Sequence, residues 1–264
     1  MKIRLVVRLL RLLLHVLEGL LVCALLFPWV GSARRHARIR GWSRRLLGIF
    51  NVSLEDDGAA HAHVLVVANH VSWLDIFVIN ALHPCSFVAK SEIRDWPLLG
   101  WLATQAGTVF IARGSQRALR TTFKGIVESL QRGERVAFFP EGTTATQGAL
   151  LAFHANLFEA AIDAGVMVQP YALEYLDRDG TLHRSVDYIG DMSFAGSMLA
   201  ILAGGAVRAR LRCLPALDTR GAHRRELAAS AALAVAQALG HAHAPMPAFM
   251  PAPMPAQPHT APSA

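Results

Sequence analysis

The stretch Asn69-His70-Val71-Ser72-Trp73-Leu74-Asp75 decides how the rest of the chain is interpreted. It follows an apolar run over residues 64–68 that is typical of a buried strand, and a helical pattern begins at Trp73. A strand-to-helix corner brings residues at i and i+5 together, so His70 and Asp75 are a candidate acid–base pair. A carboxylate bonded to one imidazole nitrogen leaves the other free as a base. By spacing alone, the same motif is also explained by an aspartate that caps the helix beside an unrelated loop histidine.

Composition separates the N-terminus from the body of the chain. Of 264 residues, 53% are apolar and 17% are charged, whereas soluble domains are usually about a quarter charged. Residues 1–50 hold Lys2 and nine arginines against Glu18, while the remainder holds 16 basic and 18 acidic residues. Positive charge outside the folded body favours an anionic membrane surface as partner and argues against nucleic acid. The three widely spaced cysteines predict reduced thiols in a cytosol-facing protein.

Residues 1–50 are predicted to be a membrane-anchoring helical segment with a basic cluster. Arginines at 4, 8 and 11 share one face of an amphipathic helix, and residues 19–30 carry no charge. These twelve residues are fewer than the roughly 20 that span a bilayer, which favours an embedded or re-entrant anchor. A single transmembrane span and a cleaved signal peptide are the alternatives. Arginines on both sides of the apolar run give no clear orientation by the positive-inside rule, and they suit a hairpin or surface-lying element with both ends in the cytoplasm.

The remainder divides into a body over residues 51–240 and a Pro/Ala-rich tail over residues 241–264 that is predicted to be disordered. Residues 51–63 are polar and are interpreted as a hairpin or linker. Beyond them strands and helices alternate, which predicts an α/β fold with a largely parallel central sheet flanked by helices, and antiparallel additions late in the chain. The predicted strands are 64–68, 86–89, 108–112, 135–139, 167–175, 182–188 and 206–214, and the predicted helices are 73–82, 92–105, 116–131, 153–164, 193–202 and 223–239.

A second chemically loaded stretch, Phe139-Pro140-Glu141-Gly142-Thr143-Thr144, also follows a predicted strand. Strand ends on one side of a parallel sheet gather at one crevice, where ligands bind. The two stretches are therefore expected to line one site although they lie about 70 residues apart. Gly142 lets the backbone approach a ligand closely, Glu141 accepts hydrogen bonds from hydroxyls, and Thr143 donates them.

Together these stretches resemble the 1-acylglycerol-3-phosphate acyltransferase family, whose first motif is N-H-x-x-x-x-D and whose third is F-P-E-G-T-R. Residues 107–113 are similar to the second motif, which ends in a phosphate-binding arginine, here Arg113. Residues 89–92, with Lys90, match the approach to that motif, and residues 168–170 resemble the fourth. The resemblance covers roughly residues 60–175. It implies the glycerolipid acyltransferase fold, preceded by the membrane-associated segment.

The same resemblance implies transfer of a fatty acyl group from acyl-carrier protein or acyl-coenzyme A to a lysolipid hydroxyl. The expected acceptor is 1-acylglycerol-3-phosphate, giving phosphatidic acid, and the alternative is lyso-ornithine lipid or another lysolipid. His70 and Asp75 are the expected catalytic residues. Thr144 replaces the arginine of the third motif, and threonine cannot clamp a phosphate with two hydrogen bonds. The expected substrate-binding residues are Lys90, Arg113, Glu141, Gly142 and Thr143.

Competing interpretations concern the reaction and its groups. Hydrolysis at the same site and a membrane-tethered binding module with a decayed site are the two rival functions. Ser72 and Cys85 are rival nucleophiles, but a helix-capping serine and a core thiol explain them more simply. No cofactor and no metal are expected, since the reaction requires none and neither His61-x-His63 nor His241-x-His243 forms a complete ligand set.

Overall fold

The computed structural model describes residues 2–96, 98–111 and 116–241. Two helices open the chain: α1, Lys2–Leu25, and α2, Ser32–Ile49, joined through a 3-10 turn over Phe27–Trp29. They cross closely at Gly19, where a Cβ atom would lie 2.7 Å from Nε1 of Trp42. The Trp42 ring also stacks on His15 at a centroid distance of 4.5 Å. A small residue at position 19 therefore lets the two helices pack side by side.

Helix α1 leaves much of its apolar surface exposed. The segment Ile3–Trp29 is long and apolar enough to cross a membrane by length and composition, and most of it is not buried. Helix α2 differs, because its last turn is part of the main hydrophobic core. The exposed apolar residues of the first helix include Ile3, Val6, Leu10, Leu13, Leu14, Leu17, Leu21 and Leu25.

A seven-stranded sheet forms the centre of the molecule. Its strands are β1 Val52–Asp57, β2 Leu65–Ala68, β3 Ser86–Lys90, β4 Val109–Ile111, β5 Val136–Phe138, β6 Val168–Leu176 and β7 Val207–Cys213. The spatial order is β1-β7-β6-β2-β5-β3-β4. The β6–β7 pair is antiparallel, and the other neighbouring pairs are parallel. The predicted largely parallel sheet with a late antiparallel addition is confirmed.

Helices cover both faces of this sheet. They are α3 Asp75–Leu82, α4 Leu99–Gln105, α5 Gln116–Gln131, α6 Glu159–Ala164, α7 Phe194–Ala203 and α8 Arg224–Ala238. Central strand β2 contributes Val66 and Ala68 to the core beneath α2 and α3, and Leu65 and Val67 to the core beneath α5, α6 and α8. Burial on both faces explains why this strand is a continuous apolar run.

Three sequence predictions were wrong in part. Residues 52–57, predicted to be part of a hairpin or linker, form edge strand β1. The partly exposed Glu55 of this strand pairs with Arg208 and Arg210 of β7. The predicted strand 182–188 is instead a bridge at Leu182 followed by a 3-10 turn over Arg184–Val186. The predicted helix 153–164 begins only at Glu159, after a 3-10 turn. Of the predicted tail, residues 242–264 lie outside the described residues.

Candidate active site

His70 and Asp75 meet at the corner between β2 and α3. Nδ1 of His70 lies 2.8 Å from Oδ2 of Asp75. The same oxygen accepts hydrogen bonds from the backbone N–H groups of Val71, at 2.7 Å, and Ser72, at 2.9 Å. Because a carboxylate oxygen only accepts, the Nδ1 atom carries the proton and Nε2 has its lone pair free. Asp75 is fully buried and the His70 side chain is 18% exposed, so the ring reaches solvent while its partner does not.

Two aromatic residues to which the sequence analysis assigned no role complete this arrangement. Tyr175, on β6, donates a hydrogen bond from its hydroxyl to Oδ1 of Asp75 at 2.7 Å. Burial raises the pKa of Tyr175 well above its ordinary value, so the hydroxyl keeps its proton. The Phe139 ring stacks on the His70 ring, with 3.9 Å between centroids and 8° between planes. His70 is therefore fixed in rotation by a ring on its face and a carboxylate at its edge.

Glu141 joins three segments through its carboxylate. Oε1 accepts the backbone N–H of His70 at 2.7 Å, and Oε2 accepts the N–H of Leu151 at 2.7 Å. Burial raises the pKa of Glu141 to about 7, although both backbone donors favour the charged form. The sequence predicted that this carboxylate accepts hydrogen bonds from a substrate. The structure gives each oxygen a backbone partner, and the first of these bonds ties Glu141 to the backbone of His70.

Gly142 and Thr143 form the open part of the same loop. Gly142 adopts a φ of +70°, a conformation that favours glycine. A Cβ atom at this position would lie 3.5 Å from Cδ2 of His154, an exposed histidine. Thr143 is exposed as well. The Gly142 backbone, the Thr143 hydroxyl and the neighbouring His154 imidazole are therefore exposed to solvent next to Glu141.

Thr144, which replaces the arginine of the third motif, has a structural contact of its own. Its hydroxyl donates to the carbonyl oxygen of Tyr188. The backbone N–H of Tyr188 in turn donates to the carbonyl oxygen of Val71 at 3.1 Å. The segment at Tyr188 is thus tied both to the glycine loop and to the corner that holds the histidine–aspartate pair.

Of the two predicted cationic residues, the described one, Lys90, lies farther along the same edge of the sheet. Lys90 ends β3 with its side chain exposed. Arg113 lies outside the described residues, two positions after the end of β4 at Ile111. Strands β2, β5, β3 and β4 are consecutive neighbours in the sheet, and their carboxyl ends therefore form one row.

The rival nucleophiles are buried. The Ser72 side chain is inaccessible to solvent, and its hydroxyl has no hydrogen-bond partner among the described residues. The Cys85 thiol is buried too, and burial raises its pKa to about 12. A thiol attacks as the thiolate, so Cys85 is inert at neutral pH. His70 is therefore the accessible proton acceptor of this corner.

Comparison with known proteins identifies the class. The family model described as Acyltransferase matches residues 49–174. The lyso-ornithine lipid O-acyltransferase of Pseudomonas aeruginosa is 40% identical over 212 residues, which cover 80% of this chain and 81% of that protein. The 1-acyl-sn-glycerol-3-phosphate acyltransferase of Neisseria meningitidis serogroup B is 49% identical over 149 residues, covering 55% of this chain and 58% of that protein.

A solved structure has the same fold. The 1-acyl-sn-glycerophosphate acyltransferase PlsC of Thermotoga maritima matches with a TM-score of 0.61 and 22% identity, covering 88% of this chain and 96% of that one. The chain belongs to the acyltransferase family. Its relatives carry the names of enzymes that acylate lysolipids, and the protein is an acyltransferase of the lysophospholipid type. The predicted family and class of activity are confirmed.

Proposed function

We propose that the protein transfers a fatty acyl group from an acyl-carrier protein or coenzyme A thioester to the free hydroxyl of a lysolipid, with His70 as general base. The observation that carries this proposal is the bond between Nδ1 of His70 and the buried Asp75, which leaves Nε2 available on the solvent side. In a hydrolase triad a serine occupies the position facing that nitrogen. Here the acceptor hydroxyl occupies it, so no covalent acyl-enzyme forms.

The reaction proceeds in two proton transfers. Nε2 of His70 takes the proton of the acceptor hydroxyl as its oxygen attacks the thioester carbonyl, and Asp75 stabilises the resulting imidazolium. The new C–O bond forms, the C–S bond breaks as the tetrahedral intermediate collapses, and His70 returns the proton to the departing thiolate. This scheme uses no cofactor and no metal, because every proton and electron pair stays with the substrates and His70.

The proposed acceptor is 1-acylglycerol-3-phosphate, with phosphatidic acid as product. Lys90, at the end of β3, and Arg113, two positions after β4 in the sequence, supply the cations that a phosphate requires. Gly142 and Thr143 present backbone and hydroxyl groups to the same ligand, while Glu141 keeps their loop in register with His70. The 49% identity to the Neisseria meningitidis glycerolipid enzyme supports this choice.

Lyso-ornithine lipid is the second candidate acceptor, and Thr144 favours it. Threonine is neutral, so this position offers no cation to a phosphate. The hydroxyl of Thr144 instead donates to the carbonyl oxygen of Tyr188. The match to the lyso-ornithine lipid enzyme of Pseudomonas aeruginosa also spans more of this chain than the match to the Neisseria enzyme does. A head group with a free amine and a carboxylate needs fewer protein cations than a phosphate does.

Membrane attachment through α1 gives this reaction access to its acceptor. The exposed leucines of α1 would enter the lipid interface, and the arginines of residues 1–50 would meet anionic head groups. We place the enzyme on the cytoplasmic face of the bacterial inner membrane, where acyl-carrier protein and coenzyme A thioesters are available. The lysolipid then reaches the crevice without leaving the bilayer.

The general-base assignment is tested with His70→Ala. Loss of a general base lowers the rate by about 10²–10⁴-fold, so we expect kcat for acyl transfer to fall at least 100-fold with folding unchanged. His61→Ala, at an exposed histidine outside the site, is the matched control. Acyl transfer retained within a few-fold of wild type in His70→Ala would refute the assignment.

The acceptor is tested with a panel of lysophosphatidate, other lysophospholipids and lyso-ornithine lipid, each with acyl-carrier protein and coenzyme A donors. Preference for lysophosphatidate supports the first candidate, and preference for lyso-ornithine lipid replaces it with the second. Release of free fatty acid without acyl transfer to any acceptor would instead indicate a hydrolase.

A further inference from the structure

Three side chains of types that can act as metal ligands lie close together at the end of α3 that is farther from the active site. His83 directly follows α3, Asp56 belongs to edge strand β1, and Cys213 ends β7. Nε2 of His83 lies 2.9 Å from Oδ1 of Asp56. These two atoms and the Cys213 sulfur all lie within 4.8 Å of one another. The group thus combines one nitrogen, one oxygen and one sulfur ligand from three separate elements.

A buried hydroxyl is directed at the same group. Tyr171 is fully buried, and its hydroxyl makes no hydrogen bond of normal geometry within the described residues. That hydroxyl lies next to the Cys213 thiol, and its ring packs edge-on against His83 at 5.9 Å. A buried hydroxyl without a partner costs stability, of the order of 1–3 kcal/mol. A metal-bound thiolate is a strong acceptor and would give this hydroxyl a partner.

We propose that Asp56, His83 and Cys213 form a zinc site. Zinc is bound by thiolate, imidazole and carboxylate groups at about 2.0–2.3 Å, which places tetrahedral ligand atoms roughly 3.5 Å apart. The present spacing therefore closes onto an ion with small side-chain adjustments. The thiol gives up its proton to solvent, the imidazole keeps its proton on Nδ1, and a water molecule takes the fourth position beside half-exposed Asp56.

Neighbouring groups support this assignment. The Cys85 thiol donates to the carbonyl oxygen of His83 at 3.0 Å and holds the turn that carries the imidazole. Asp57 lies close to Cys213 and adds negative charge, and Arg135 is the nearby positive charge. An ion at this place would offset the carboxylates and the thiolate together. It would also tie the end of α3 to the paired strands β1 and β7, in addition to the Asp56–His83 bond.

The site lies away from the reacting groups. Asp75 begins α3 and His83 follows its end, so the zinc ligand is eight positions from the dyad, roughly 12 Å along the helix axis. No spacing in the sequence indicates this site, because its ligands are 27 and 130 positions apart. The proposed ion departs from the expectation of no metal, which was argued from the reaction and from the paired histidines.

The test uses the full-length protein in detergent, stripped with a chelator and then titrated with Zn²⁺ alone. We expect one zinc ion to remain per protein after gel filtration, and Co²⁺ to give the near-ultraviolet absorption of a cobalt–thiolate bond. Cys213→Ser should abolish that absorption and His83→Ala should weaken Zn²⁺ binding at least tenfold. Cys23→Ser, at a buried thiol of α1, is the matched control and should bind as wild type does.

A second measurement covers variants that fold poorly. Asp56 lies at the exposed rim, so Asp56→Asn keeps the side-chain shape and should fold while binding Zn²⁺ more weakly. Zinc should raise the melting temperature of the wild type but not that of folded Cys213→Ser. The proposal is overturned if folded wild-type protein retains no zinc, or if Cys213→Ser binds zinc and shifts its melting temperature as the wild type does.

Discussion

The Asp75 carboxylate accepts four hydrogen bonds in a fully buried position. Three of them converge on Oδ2 and orient His70, and the fourth comes from Tyr175. These four hydrogen bonds explain how the Asp75 carboxylate is accommodated away from solvent. It also implies that Tyr175 acts on catalysis through Asp75, as a positioning residue.

Removing that fourth bond should affect both stability and rate. A hydrogen bond to a charged group contributes roughly 1.5–3 kcal/mol, so Tyr175→Phe should lower the free energy of unfolding by about 2 kcal/mol. We expect kcat to fall about tenfold, because Asp75 then holds the imidazolium less well. Urea unfolding and the pH dependence of kcat measure the two effects.

Tyr171→Phe provides the control on the same strand, since its hydroxyl makes no bond to Asp75. A kcat equal to that of wild type is expected for this variant. If Tyr175→Phe and Tyr171→Phe change kcat equally, the bond from Tyr175 to Asp75 has no catalytic role.

Glu141 gives the site a pH-dependent stability. Its pKa rises from an ordinary value of 4.5 to about 7 because it is buried. Between these values the folded protein keeps a proton that the unfolded chain has released, so stability falls as pH increases through this window. The full shift corresponds to about 3 kcal/mol. Glu141→Gln should remove this dependence, as measured by unfolding free energies at pH 5 and pH 8.

The same variant should reduce activity, because an amide cannot accept hydrogen bonds at both ends from the N–H groups of His70 and Leu151. Glu134→Gln, at another carboxylate that pairs with exposed Arg132, serves as the comparison. An unchanged slope of stability against pH in Glu141→Gln would contradict the raised pKa.

At the scale of elements, the proposed attachment to lipid depends on α1. Leu10 and Leu17 lie two turns apart on the exposed apolar face. Replacing both with glutamate places charges where burial in the lipid interface is expected, which is strongly unfavourable. We predict that Leu10→Glu/Leu17→Glu no longer sediments with phospholipid vesicles, whereas the unchanged protein does.

A control variant separates loss of membrane contact from general solubility. Leu233 is an exposed leucine of α8, a helix that covers the face of the sheet opposite to α2 and α3. Leu233→Glu should sediment with vesicles as the unchanged protein does. Continued sedimentation of the double variant would mean that the body of the protein, and not α1, holds the membrane.

At the scale of the whole molecule, charge is divided unevenly between the first 50 residues and the remainder. Attraction of exposed arginines to anionic lipid is screened by salt, whereas burial of leucines is not. We therefore predict that binding weakens when phosphatidylglycerol is replaced by phosphatidylcholine, and that NaCl weakens it only in the anionic vesicles. Equal binding to both lipids would exclude the arginine contribution. Vesicle sedimentation at two salt concentrations makes the measurement.

The sequence predicted those parts that depend on local pattern. The strand at residues 64–68 was found within one residue because burial on both faces demands an unbroken apolar run. Strand β1 was missed because an edge strand with one exposed face keeps polar residues such as Glu55. The stretch that contains Phe139 was predicted to line the site, but the stacking of Phe139 on His70 was not. Tyr175 was missed because it reaches the site through the order of strands, which no spacing in the chain reveals.

Strand β1 is synthesised long before the strand with which it pairs. This strand pairs with β7 alone, and its register partners are 155 positions later in the chain, as in Val52 and Val207. Domains form as their residues leave the ribosome, from the N-terminus onward. The leading apolar helix is therefore free to meet a bilayer while residues 52–57 still await their neighbour. The nascent chain would be tethered first, and only then closed into a complete sheet beside its lipid substrate.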